Sequence, residues 1–199
     1  HLQRIPVAER PFPAVLEPLR AQLEASRLEF VSIAAFASQG TKPWKSKFLG
    51  LPYLPRDMPY PRDASGKPLP FLAQINFAEM PGIPDYPDRG IVQFFIADAE
   101  ASGPEGHVWG MNFYRGKPFD EQKHFDLLSR QSYFRVLYHA EVVEDEGRLQ
   151  PAVPRAAGLL PVTTEARLEF RRTWGHVLPS DYRFKSVFGA EPHAAFARF

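Results

Sequence analysis

The sequence predicts an α+β fold, and three observations carry that reading. Leucines near the amino end recur at helical spacing. Several later segments alternate apolar and polar residues and are rich in Phe, Val and Ile, as half-buried strands are. Two of those segments are separated only by turn-forming residues, so antiparallel neighbours are their simplest pairing. A chain of 199 residues, 44% hydrophobic, is long enough for one core, which suggests a single domain over residues 11–199 behind a short extension, residues 1–10.

In "PFPAVLEPLRAQLEASR", Pro11 to Arg27, Leu16, Leu19 and Leu23 mark one helical face, and Pro18 must kink the helix or reset its start. "LEFVSIAAFA", Leu28 to Ala37, reads as a mostly buried strand around Phe30, Val31, Ile33 and Phe36. Next, 10 of the 21 prolines fall between Pro43 and Pro87, which confines regular structure to the pieces between them. Trp44, Phe48, Leu51, Tyr53, Leu54, Met58 and Tyr60 lie among those prolines, so the region reads as an ordered belt packed across the domain, not as a linker. Inside it, "FLAQINFAEM" is a strand, with "GIVQFFIADAE" as its neighbour across "PGIPDYPDRG".

Further along, a short strand is expected near His107 to Tyr114 and a short helix near Asp120 to Arg130. "QSYFRVLYHAEVV", Gln131 to Val143, alternates as a strand, and "ARLEFRRTWGHVL", Ala166 to Leu178, reads as a solvated edge or outer strand. In "LPSDYRFKSVFG", Ser180 or Asp181 can cap a short helix that Gly189 would end.

Composition narrows the function classes. With 24 Lys plus Arg against 23 Asp plus Glu, net charge +1, there is no bulk field to steer nucleic acid or an anionic membrane toward the protein. The chain has no cysteine, which removes disulfides, thiolate nucleophiles and cysteine metal sites and fits a cytosolic protein. Apolar runs such as "IAAFA" are far shorter than the ~20 residues of a membrane span. The stretch "HLQRIPVAERPFP" has no apolar signal-peptide core.

Gln74 and Asn76 share a strand face, and Gln93 on the neighbouring strand can join them. Three amides offer donors and acceptors either to a peptide or small polar ligand or to the unpaired carbonyls of the proline-rich belt. Trp44, Lys45, Lys47 and Tyr53 combine aromatic surface with cations, a mixture suited to anionic ligands. Candidate ligand- or partner-binding residues are therefore Trp44, Lys47, Tyr53, Gln74, Asn76 and Gln93. The six histidines show no zinc spacing, so no metal or cofactor is expected; His139 with Glu141 is the nearest approach to a base and its orienter. Asp57, Asp63, Asp85 and Asp88 read as turn caps beside Pro and Gly.

The block from Ser46 to Ile96 resembles the YwqG-like proteins, a bacterial family of unknown function. Its Gly-Leu-Pro-Tyr-Leu-Pro turn, its Phe-Leu-Ala-Gln-Ile-Asn strand and its Val-Gln-Phe-Phe strand occur in the family's order and spacing. "SYFRVLYH" and "PSDYRFKSVFG" extend the likeness. The resemblance implies a mixed α+β domain on a large, mainly antiparallel sheet, and no particular reaction. Tyr60-Pro61 stands where relatives usually have Trp-Pro, and the family's last strands have no counterpart here: either this is a shortened member or that part was lost, and if lost, an open sheet edge or apolar face is expected, exposed or covered by a partner. The rigid aromatic belt, with no catalytic motif in the sequence, favours a non-catalytic protein- or peptide-binding module in the cytoplasm, with toxin neutralisation as a setting suggested by the resemblance. The alternative is a small-molecule enzyme or sensor using the Gln/Asn face.

Overall fold

The computed structural model describes residues 12–98, 107–109, 111–112, 122, 125–126, 129–154 and 158–189. The chain divides into two compact units, residues 31–171 and a smaller one built from residues 1–30 with 172–199.

In the smaller unit a 3₁₀ turn, Ala14–Leu19, carries Pro18 and passes into helix α1, Arg20–Ala25. The leucine spacing therefore gives a helix, with Pro18 kept out of its α-helical part. Leu23 is buried with Val177, Phe184 and Phe188, and Leu16 and Leu19 pack against them. The Ser26 hydroxyl donates to Leu23 O and accepts from Val177 N. Helix α2, Phe184–Phe188, stops at Gly189, whose φ of 91° is costly for residues with a Cβ. Asp181 receives Arg183 N in the turn before α2, so it orders the approach to the helix; the helix itself has no side-chain cap.

The larger unit is built on a six-stranded antiparallel sheet. Its strands are β1 (Leu28–Ala37), β2 (Lys47–Phe48), β3 (Phe71–Asn76), β4 (Ile91–Ile96), β7 (Phe134–His139) and β8 (Ala166–Gly175), in the order β1-β8-β2-β3-β4-β7. Strands β1 and β8 contribute residues to both units. Where one short strand is expected, at His107 to Tyr114, two two-residue strands, β5 (His107–Val108) and β6 (Met111–Asn112), pair antiparallel with each other, with Gly110, Phe113 and Tyr114 outside the described residues. Of the helix expected at Asp120 to Arg130, Gln122, Phe125, Asp126 and Ser129 are helical and most other positions lie outside the described residues. The α+β class and the antiparallel pairing of β3 with β4 are as the sequence indicates.

Two expectations about strands are corrected. β8 is interior, between β1 and β2. Its charged residues Arg167 and Arg171 look outward from a sheet face, while Ala166 and Leu168 are buried. The edge is β1, and it is exposed along almost its whole length, because no described element covers its faces. On the inner side of this unit, one cluster gathers Leu69, Phe71, Phe95 and Ala97, and another gathers Trp44, Tyr53, Ile91 and Leu149. The belt is ordered as its aromatics suggest: Pro52, Tyr53 and Leu54 are buried, and its regular strands are β2 and β3.

Candidate functional site

The belt begins with "TKPWK", Thr41 to Lys45, a segment with no strand partner. Lys42 O accepts Lys45 N at 3.0 Å, and the other four carbonyls would be left without donors, a cost of about 1–3 kcal/mol for each buried one. Side chains of β2 and β3 supply them. Lys47 Nζ donates to Thr41 O and Lys42 O, both at 2.9 Å. Gln74 Nε2 donates to Pro43 O and Lys45 O, and Asn76 Nδ2 donates to Trp44 O. Strand alternation explains the reach: Gln74 and Asn76 are two apart on β3, and Lys47 is paired with Gln74 across the ladder.

A second loop of the belt is tied by the same amides. Gln74 Oε1 accepts Tyr53 N at 3.0 Å, and Gln93 Nε2 donates to Tyr53 O at 2.7 Å and to Gln74 Oε1 at 3.0 Å. Gln93 lies directly opposite Gln74 in the β3–β4 register. The pattern fixes every amide orientation. One end of Gln74 faces two carbonyls and must be its NH₂, so the other end is oxygen. Gln93 then turns its NH₂ to that oxygen and its own oxygen to His139 Nε2 at 2.9 Å. His139 is consequently protonated on Nε2, and burial holds its pKa below the ordinary value.

All six residues singled out in the sequence are brought together, and all six are turned inward. Gln74, Gln93 and Lys47 are 0% exposed, and Trp44, Tyr53 and Asn76 are buried beside them. The three amides do not line an open pocket, as a small-molecule site on this face would require. His139 is bonded to Gln93, and Glu141 instead approaches Arg89, so the base-and-orienter pairing is not formed. Asp63 accepts Ser65 N, Ser65 Oγ and Lys67 N, which is the turn-capping role its sequence context suggests.

Lys47 is the most perturbed group of the clamp. Burial pushes its pKa down to about 8, and the Glu165 and Glu79 carboxylates only partly offset this. Two of its N–H bonds go to the carbonyls of Thr41 and Lys42. Glu165 Oε1 accepts Thr41 N and Glu79 Oε2 accepts Ser46 N, so acidic side chains bind the belt's amides as the glutamines bind its carbonyls. Neither glutamate is recognisable from sequence, because both are brought there from distant strands or turns.

One open cleft of about 520 Å³ lies beside the clamp, lined by Thr41, Lys45, Ser46, Glu79, Arg167, Leu168, Glu169 and Phe170. Its cations are already matched: Lys45 contacts Glu79 at 2.9 Å, and Arg167 contacts Glu169. Among the described residues, no group of three or more His, Asp or Glu side chains is placed to hold a metal ion. No helix among them is long and apolar enough to cross a membrane.

The two edges of the sheet differ sharply. At β7 the outward N–H of Val136 is occupied by Gln131 Oε1 at 2.9 Å. At β1 the Ser38 N–H bonds Glu165 O at 3.0 Å, and the Arg167 guanidinium lies 4.8 Å from the centre of the Phe36 ring. Ladder alternation then turns the N–H and C=O groups of Val31, Ile33, Ala35 and Ala37 outward. No described strand pairs with them. Ile33 is 51% exposed and Phe36 38%.

A family model described as a domain of unknown function, DUF1963, matches residues 46–198, a span that includes β2 to β4, β7, β8 and α2. This is consistent with the resemblance carried by the Ser46 to Ile96 block. A search of curated proteins gives no match.

Proposed function

The chain belongs to the DUF1963 family of domains of unknown function, and we propose that it is a non-catalytic, cytosolic module that binds an extended protein or peptide segment along β1. The outer edge of β1, unpaired among the described residues, carries this reading. Sheet edges exposed to solvent are commonly blunted by Pro, Lys, bulges or a covering element. β1 is ten residues long, has neither Pro nor Lys, and carries exposed Leu28, Phe30, Ile33 and Phe36. An added strand would take its affinity from main-chain hydrogen bonds and its selectivity from alternate side chains. The clamp supports the reading from the other side: its amides and Lys47 are buried and bonded within the protein, and half-buried His139 is bonded to Gln93, which favours a structural role for them.

Selection of ten-residue peptides displayed on phage tests the proposal. Sequences with strand alternation should be enriched on the native protein and lost on the Ile33→Lys variant. Peptides that bind both proteins equally would move the site elsewhere, and turnover of a compound from a metabolite panel would replace the proposal with the enzyme reading.

A further inference from the structure

We propose that the segment Val31 to Ala37 pairs antiparallel with the same segment of a second copy, joining two sheets across a two-fold axis at Ala34. The inference rests on β1 being a docking edge and names its occupant. The register that centres on Ala34 sets Val31 opposite Ala37, Ile33 opposite Ala35 and Ser32 opposite Phe36. Each large side chain meets a small one, on both faces of the joined sheet. The same register makes Ile33 with Ala35 and Val31 with Ala37 the hydrogen-bonded pairs, because these four residues direct their backbone groups outward. About eight main-chain hydrogen bonds result.

Charge agrees with volume. Val31 to Ala37 contains no ionisable side chain, so the two-fold axis brings no like charges face to face. A foreign strand would have to match this order of large and small residues, whereas a second copy does so by symmetry. The contact is small. Seven residues a side is about a third of the 20–30 of a standard interface, which places the dimer in the micromolar range or weaker.

Sedimentation equilibrium from about 10 μM to 1 mM, on the full chain, reads the association directly. The mass should rise from the 22.6 kDa monomer toward twice that value. Ile33→Lys should weaken association at least tenfold, and Val136→Lys on the opposite edge should leave it unchanged. Hydrogen exchange supplies a second readout that does not depend on a variant. Amides of Val31, Ile33, Ala35 and Ala37 should slow as concentration rises, while those of Ser32, Ala34 and Phe36 stay constant. A monomer throughout, or association without slowing of the four outward amides, overturns the inference. If that monomer still binds selected peptides in an Ile33-dependent way, the docking edge stands with a different occupant; if it binds none, the docking edge falls as well.

Discussion

The centre of the sheet and its β1 edge treat main-chain polar groups in opposite ways. Around β3 and β4, an irregular proline-rich segment is made tolerable by side chains that satisfy it carbonyl by carbonyl. At β1 the backbone is regular, yet one side of it has no partner among the described residues. Regular secondary structure is thus no guarantee of a satisfied backbone, and a loop is no sign of an unsatisfied one. The closed region has the features of a scaffold and the open one those of a contact surface.

The most severe way to break the contrast is to open the clamp. Gln74→Leu keeps the volume roughly constant but strands Pro43 O, Lys45 O and Tyr53 N, and removes the acceptor of a Gln93 donor. Several buried unpaired groups at about 1–3 kcal/mol each give a loss of about 4 kcal/mol or more in urea unfolding.

Acid–base behaviour should also report the clamp. The Lys47 pKa lies near 8 when folded against an ordinary 10.5, so the unfolded chain binds more protons between these values. Stability should therefore rise by about 2–3 kcal/mol as pH climbs from 8 toward 10.5. Burial raises Tyr60 from 10.0 to about 12, so its contribution is lost as pH rises through that interval and the climb should turn over above pH 10. In Lys47→Met the rise should vanish while the fall above pH 10 persists. A wild-type profile flat between pH 8 and 10 would mean that the amine stays charged in the fold.

Smaller effects follow at the margins. Tyr53→Phe removes the hydroxyl that accepts Val143 N at 3.0 Å, and should cost about 1 kcal/mol. Ile33→Lys should change monomer stability by no more than about 0.5 kcal/mol, since its side chain is half exposed. A large loss there would show that β1 is covered after all.

Much of the closed region was legible in the sequence. Gln74, Asn76 and Gln93 on adjacent strands, beside prolines that cannot donate, already suggested amides fastening carbonyls. Trp44 and Tyr53 signalled an ordered belt correctly, although aromatic and cationic character alone could not say that they and Lys47 face inward. β1 and β8 were harder. "LEFVSIAAFA" is apolar on both faces, a pattern that suits a buried strand and an uncovered edge equally. "ARLEFRR" is charged on one face, which an interior strand of a one-sided sheet shows as readily as an edge does. Neighbour order in a sheet is set by contacts between distant segments, and local periodicity does not encode it.

Native-state hydrogen exchange on dilute protein compares the two regions in one experiment. The Tyr53 amide, bonded to Gln74 Oε1, should exchange only through global unfolding, while the outward amides of Ile33 and Ala35 exchange through small local fluctuations. Gln74→Leu should bring the Tyr53 rate toward theirs. A Tyr53 amide that exchanges as fast as Ile33 in the native protein would contradict the clamp, and Ile33 and Ala35 amides protected to the level of Tyr53 in the dilute monomer would contradict the open edge.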